Sequence, residues 1–196
     1  MRRVSSVAHH ALLTLASGVL KEEYRTPFDS EEGPPAPFEL EEAPGKRVFS
    51  LSGKFGDELV EVELDLEDQP GSAISEDDES AYEDEVEEVE SVTFTCRITK
   101  NERVLSFECE SDGDSVTIHH LELLTEPEDE DSTLPPYTGP VFPDLDDTLK
   151  QAFVDYLEER GITAELGEYL MLLTADKGWN EYMSWLTKVK GFIAER

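Results

Sequence analysis

Between Val60 and Leu66 the chain alternates strictly. Val60, Val62, Leu64 and Leu66 are apolar, and Glu61, Glu63 and Asp65 stand between them. Neighbouring side chains of a strand point to opposite faces, whereas a helix would scatter these four apolar residues around its circumference. The segment therefore predicts a half-buried strand, apolar inward and acidic outward. The same period returns in Val92, Phe94, Cys96 and Ile98, with Thr93, Thr95, Arg97 and Thr99 between them. Phe49 and Leu51 supply a strand before the first, with Gly56-Asp57 as the connecting turn; Leu105, Phe107 and Cys109 supply a return strand after the turn Asn101-Glu102. Beyond Asp112-Gly113-Asp114, Val116 and Ile118 share one parity while Leu121 and Leu123 share the other, which a bulge near His119-His120 reconciles. No helical crossover separates these strands, so the pattern implies an antiparallel sheet in an α+β fold.

The two ends of the chain follow a different period. In residues 1–26, Ala8, Leu12, Leu15 and Val19 are spaced four, three and four, with Ala11, Ala16 and Leu20 widening the stripe. Arg2, Arg3, Ser5 and Ser6 precede it and no acidic residue occurs before Glu22, a composition shared with organellar transit peptides. Residues 27–45 are rich in Pro and Gly and predict a linker, with a short edge strand around Phe38 and Leu40. The sheet occupies 46–124, an acidic and Pro-containing connection 125–143, and helices 144–196. Asp144 after Pro143 is an N-cap signal, Gly161 a C-terminal cap, and Thr163 opens a second segment with Leu166, Tyr169, Leu170 and Leu173. Gly178 loosens the pattern before a last helix carrying Trp179, Tyr182, Leu186, Val189 and Ile193, spaced three, four, three and four. This short heptad seam matches the one on the first helix, Leu12, Leu15 and Val19, so the two terminal helices are expected to pack together as a short coiled coil.

Charge is distributed as unevenly as period. Lys and Arg number 16 against 47 Asp and Glu, a net charge of −31, yet 38% of residues are hydrophobic. A disordered acidic chain would be poorer in apolar residues, so the acid must be concentrated outside a folded core. Residues 67–90 hold no Lys or Arg and twelve acids, ten of them being Glu76, Asp77, Asp78, Glu79, Glu83, Asp84, Glu85, Glu87, Glu88 and Glu90. A second acidic loop at 125–136 carries Glu126, Glu128, Asp129, Glu130 and Asp131. Such tracts attract basic partners through long-range, screened electrostatics, or serve only as solvated loops. Direct binding to DNA is not expected of a chain so poor in phosphate-binding cations. Membrane insertion is not expected either, since no apolar run approaches the roughly 18 residues of a spanning helix.

The residues offer little for catalysis. There is no Gly-rich phosphate loop, no G-x-S-x-G and no H-E-x-x-H. The histidines fall into the adjacent pairs His9-His10 and His119-His120, and strand neighbours cannot chelate one ion. The acidic tract lacks the spacing of an EF-hand loop, leaving weak and diffuse divalent-cation association. No cofactor or defined metal site is expected. Cys96 and Cys109 lie on apolar strand faces and read as buried, reduced thiols.

The segment PYTGPVFPDLDDTLKQAFVDYLEERGI, from Pro136 to Ile162, and EYMSWLTKVKGFI, from Glu181 to Ile193, resemble the mitochondrial glycoprotein family, also called mitochondrial acidic matrix proteins. Its animal member is known as a complement-receptor and splicing-factor-associated protein. GKFGDELVEVELDL, VTFTCRITK and LSFECES fit the same family, and the Y-x-G-P-x-F run suggests its plant branch. The resemblance covers the chain from about Leu12 onward as a single domain, 1–196. It implies a twisted seven-stranded antiparallel sheet flanked by one N-terminal and two or three C-terminal helices, assembled as a ring-shaped homotrimer with a central channel. It carries over no catalytic residue, and the seam residues of the terminal helices match as structural positions. It implies residence in the mitochondrial matrix, with Arg2 and Arg3 read as the tail of a presequence, a truncated start, or a helix that doubles as the signal.

These readings converge on a non-enzymatic scaffold or chaperone-like docking surface for basic proteins, such as ribosomal proteins of the matrix, supporting translation and oxidative phosphorylation. Two alternatives from other classes are a divalent-cation buffering protein and an RNA-associated regulator using the small basic cluster Arg97, Lys100 and Arg103.

Overall fold

The computed structural model describes residues 6–20, 33–41, 43, 45–70, 91–124 and 139–195. The alternating segments form strands as their period requires. After helix α1 (Ser6–Val19) come β1 (Glu39–Glu41), β2 (Val48–Phe55), β3 (Glu58–Asp65), β4 (Val92–Lys100), β5 (Arg103–Ser111) and β6 (Val116–Leu124). A 3-10 turn at Phe142–Asp144 leads to α2 (Asp147–Glu158) and α3 (Ala164–Ala194). The strands form one antiparallel sheet in the order of the sequence, β1 to β6. Six strands therefore lie among the described residues, where the family resemblance implies seven.

Strands β2, β3 and β4 bury every second residue. Phe49 and Leu51, Val60, Val62 and Leu64, Phe94, Cys96 and Ile98, and Phe107 and Cys109 share the apolar face and are 0–5% exposed. Burial of an aliphatic or aromatic side chain of this size stabilises by about 1.5–3 kcal/mol, so this face dominates the fold's favourable energy. The sheet is covered by α2 and the beginning of α3. Phe153 and Tyr156 of α2 bring their rings to 6.2 and 6.5 Å from that of Phe107, and Leu157, Ile162, Leu166 and Leu170 are buried.

The turns follow the sequence signals. Asn101 and Glu102 both adopt positive φ, 48° and 65°, the conformation whose twist matches a two-residue hairpin. The bulge falls on His119: Ile118 pairs with Cys109 and His120 with Glu108, so one residue of β6 is left over. That extra residue allows Ile118 to be buried while β6 keeps its pairing through Leu124. Cys96 faces Phe107 and Cys109 faces Phe94, so the thiols are diagonal neighbours, and both are free and buried. Burial pushes both thiols up, Cys109 to about 12, which keeps them protonated and unreactive.

Two expectations about the helices are corrected. Asp144 closes the 3-10 turn, and the N-cap of α2 is Asp146, whose Oδ1 accepts from the Thr148 backbone N–H at 2.9 Å. The segment around Pro143 tightens into an i to i+3 turn before the chain can enter the α-helix, which displaces the cap by two residues. Gly178 does not interrupt the C-terminal helix: α3 runs unbroken from Ala164 to Ala194. A single interior glycine costs only about 1 kcal/mol relative to alanine, too little to break a long helix. Among the described side chains of α1 and the residue after it, Ala16 is buried and Leu13, Ser17, Val19 and Leu20 are half-buried, while Leu12 and Leu15 are 52% and 68% exposed. On α3, Trp179, Leu186, Val189 and Ile193 are half-buried and Tyr182 is 42% exposed.

Two compact units result. Residues Ser30–Met171 form one, containing the whole sheet; α1 and α3 from Leu172 onward belong to the other.

Candidate functional site, an acidic trough on the open face of the sheet

The sheet's second face carries the residues that alternate with the core. Glu63 and Asp65 from β3, Thr93 and Thr95 from β4, Glu108 from β5 and His119 from β6 line an open trough of about 490 Å³. Period two alone brings these groups together, because strands that bury their apolar residues must present the polar ones side by side. The His119 bulge turns its imidazole toward Glu110, Nε2 to Oε2 at 2.8 Å. Hydrogen bonds from Ser91 and then His119 hold the Glu110 carboxyl below the usual carboxylate range.

Gln69 builds the rim. Its Nε2 donates to the carbonyls of Asp65 at 2.8 Å and Thr93 at 3.1 Å, and its Oε1 accepts from the Thr93 N–H at 2.9 Å. The Thr93 hydroxyl donates to the Asp68 carbonyl at 2.7 Å. The chain leaving β3 is thus stitched to the start of β4, and Ser91 beside it is tied to Glu110. The acidic tract named from the sequence begins and ends at these stems. Its residues Glu76, Asp77, Asp78, Glu79, Glu83, Asp84, Glu85, Glu87, Glu88 and Glu90 lie outside the described residues, as does the second tract from Glu126 to Asp131.

The trough is partly neutralised from within. Arg97 reaches Glu63 at 3.1 Å, and Arg47 reaches Asp65 at 3.1 Å and also pairs with Glu67. Asp68 and Glu108 form no ion pair with a described residue and leave uncompensated charge there. These pairs are solvent-exposed, worth about 0–1 kcal/mol each, so an incoming cation can exchange with them at little cost. Among the described residues no group of three or more His, Cys, Asp and Glu is placed to hold a metal ion. The basic cluster considered for RNA is largely consumed by acids. Arg97 is paired with Glu63, and Lys100 lies 3.5 Å from Asp57 and 3.2 Å from Glu58, while Arg103 is exposed at the same hairpin.

Sequence reasoning missed one further charged centre. Arg160, 6% exposed, donates from Nε to Glu58 Oε2 at 2.8 Å and from a terminal nitrogen to the Tyr156 carbonyl at 2.7 Å. Its guanidinium lies over the rings of Tyr156 and Phe55. Arg160 and then Lys100 hold the Glu58 carboxyl below its ordinary range against the opposing effect of burial. The centre ties the end of α2 to the β2–β3 hairpin and has no open access, so its role is structural. The two residues are 102 positions apart, and no local signal links them. Gln69 was equally silent, since only its bonds to Thr93 reveal its role.

An α+β chain of this topology, with acid on the open sheet face and helices on the other, defines a class of acidic surface-presenting proteins. The family comparison makes this specific: the mitochondrial glycoprotein model matches residues 19–193, and the chain belongs to that family. The mitochondrial acidic protein mam33 of Schizosaccharomyces pombe is 28% identical over 186 residues, covering 82% of this chain and 69% of that protein. An uncharacterized mitochondrial protein of Arabidopsis thaliana is 30% identical over 162 residues, covering 81% of this chain and 63% of its own length. Two solved structures share the fold. One is a Leishmania major protein of unknown function described as a sequence homologue of human p32, with TM-score 0.73, 23% identity and coverage of 95% of this chain and 99% of that one. The other is the Trypanosoma brucei p22 protein, with TM-score 0.70, 20% identity and coverage of 96% and 100%.

Proposed function

We propose that this protein is a non-enzymatic acidic protein of the mitochondrial matrix that docks basic proteins, such as ribosomal proteins, and thereby supports matrix translation and oxidative phosphorylation. The observation that carries the reading is the acid-lined open face of the sheet, from whose rim the acidic tract 67–90 leaves and to which it returns. A surface of this kind accelerates encounter with cationic partners and holds them through many weak, exchangeable pairs. Family membership and the mitochondrial names of both relatives support the placement. The working unit is a homotrimeric ring, expected to scatter light as about three times the 22.0 kDa of one chain.

Pull-down of matrix proteins at low and high salt tests the docking function. Basic partners should dominate and be released as salt screens the attraction. Neutral partners, or basic ones retained unchanged at high salt, would overturn it. A light-scattering mass of 22.0 kDa would overturn the ring.

A further inference from the structure

Within the sheet unit, a cavity of about 150 Å³ is bounded by the start of β6, the β5–β6 turn, α2 and the joint between α2 and α3. Its floor is Ile118 of β6, Leu157 of α2 and Ile162 of the joint, each 0–5% exposed. Val116, Val154 and Ala164 form half-buried walls. The exposed members of the lining, Asp114, Ser115 and Glu158, stand at its mouth, and no Lys or Arg lines it. Ile118 belongs to the apolar face of the sheet, so the cavity is separate from the trough on the open face.

The walls are set before anything binds. Ser111 Oγ donates to the Ser115 carbonyl at 2.8 Å and accepts from the Gly113 N–H at 3.2 Å. Asp112 Oδ1 accepts from the N–H groups of Asp114 and Ser115 at 3.0 and 2.8 Å, so the turn uses this carboxylate for itself. Gly167 of α3 holds the turn so close that a Cβ there would overlap Ser111 Oγ. On the other side, the Ile162 N–H donates to the Leu157 carbonyl at 3.1 Å and the Gly161 N–H to that of Glu158 at 3.0 Å. Asp114 and Glu158 differ from Asp112, for neither carboxylate forms an ion pair or hydrogen bond with a described residue. Glu158 is also the last residue of α2, whose final turn has no basic residue, where the helix dipole disfavours a carboxylate. Helix stability therefore does not account for its place there.

We propose that this cavity takes a single apolar side chain from a basic segment of a partner protein, with Asp114 and Glu158 receiving the Lys or Arg beside it. The inference rests on the docking of basic proteins proposed above and adds to it an apolar anchor on the other face of the sheet. Size selects the occupant. Drug-sized ligands and cofactors need pockets of about 300–1,000 Å³, whereas an apolar cavity of roughly 150 Å³ holds a benzene-sized group. Charge selects its setting. A fatty acid or phosphate ester would bring its own anion against two uncompensated carboxylates. A second copy of a chain with 47 acids against 16 bases is repelled in the same way. A few seated side chains of this kind carry most of the binding energy of a protein interface. The trough attracts through charge that salt screens, while apolar burial presents no charge to screen.

The test titrates two capped pentapeptides, Lys-Arg-Leu-Arg-Lys and Lys-Arg-Ser-Arg-Lys, into the full chain by calorimetry at low and physiological salt. The leucine peptide should bind about tenfold more tightly. Both affinities should fall as salt rises, while the ratio between them holds. In the parent chain with isotopically labelled isoleucine methyls, the leucine peptide should move the resonances of Ile118 and Ile162 and leave that of Ile98 on β4 in place. Ala164→Leu, which fills the cavity, should bring the ratio to about one. Asp114→Asn/Glu158→Gln should weaken both peptides about threefold at low salt. Equal affinity of the two peptides for the parent chain, or unmoved Ile118 and Ile162, would overturn the anchor and leave the docking of basic proteins standing. A ratio that survives in folded Ala164→Leu would overturn it as well. Failure of both peptides to bind at low salt would overturn the docking function itself. Light scattering on Ala164→Leu identifies the competing occupant: a changed assembly mass with an unchanged far-ultraviolet spectrum places another copy of the chain in the cavity and overturns the proposal.

Discussion

The sheet unit and the terminal-helix unit hold their structure by different means. The sheet unit buries a face of side chains 0–5% exposed, carries −33, and fixes its helical cover with a buried Arg160–Glu58 pair. The terminal unit carries +2 by sequence (eight Lys and Arg against six Asp and Glu), buries few of its described residues, and leaves Trp185 and Phe192 exposed. Acid is tolerated on the sheet because period two gives every strand an outward face, where charges remain hydrated. A protein can therefore be strongly acidic overall and still bury an apolar face.

Removing the buried ion pair should break the comparison most. Arg160→Ala leaves the buried Glu58 carboxylate with Lys100 as its one remaining charged partner among the described residues and is expected to cost about 3 kcal/mol, read as a lower urea midpoint. Glu58→Gln keeps a hydrogen-bond acceptor and should cost less. A loss below 1 kcal/mol in Arg160→Ala would show the centre to be dispensable.

Two glycines on the one helix α3 sharpen the contrast. A Cβ on Gly167 would stand 2.0 Å from Ser111 Oγ and 2.8 Å from its Cβ, so Gly167→Ala should cost about 1–3 kcal/mol through overpacking. Gly178, in the terminal unit, would place a Cβ in open space, and Gly178→Ala should stabilise by about 0.5–1 kcal/mol. Thermal melts of both variants give the signs, and equal signs would erase the distinction.

The smallest expected effect is on pH dependence. The Glu58 carboxyl is held below its ordinary value of 4.5 in the folded chain. The unfolded state therefore binds the proton first as pH falls. The stabilisation is complete above the ordinary value and disappears as pH drops through the depressed one. The stability difference between the parent chain and Glu58→Gln, measured by urea titration, should be flat near neutrality and shrink under acid. A difference that grows on acidification would contradict the arrangement.

The elements whose signals are local were legible. Alternation in 60–66 and 92–98 located β3 and β4, the Asn101-Glu102 turn followed from its place between two alternating runs, and the parity change after Ile118 placed the bulge near His119-His120, where the register puts it on His119. The cap of α2 was misplaced because Asp144 and Asp146 are chemically equivalent candidates, and only the 3-10 turn around Pro143 chooses between them. The trough was half legible: Glu63 and Asp65 stood out as outward residues, while Glu108, His119 and Gln69 gained meaning only from the register that brought them together.

Local periodicity and charge, both properties of neighbours in the chain, determined that this protein would be an acidic antiparallel sheet with helical ends. Tertiary structure decided which acids are paired, that Arg160 and Glu58 would meet across 102 residues, and which side of each terminal helix stays exposed. The physical reason is that burial and pairing belong to contacts between distant segments. An apolar arc or a carboxylate carries no mark of what will face it until the chain has folded.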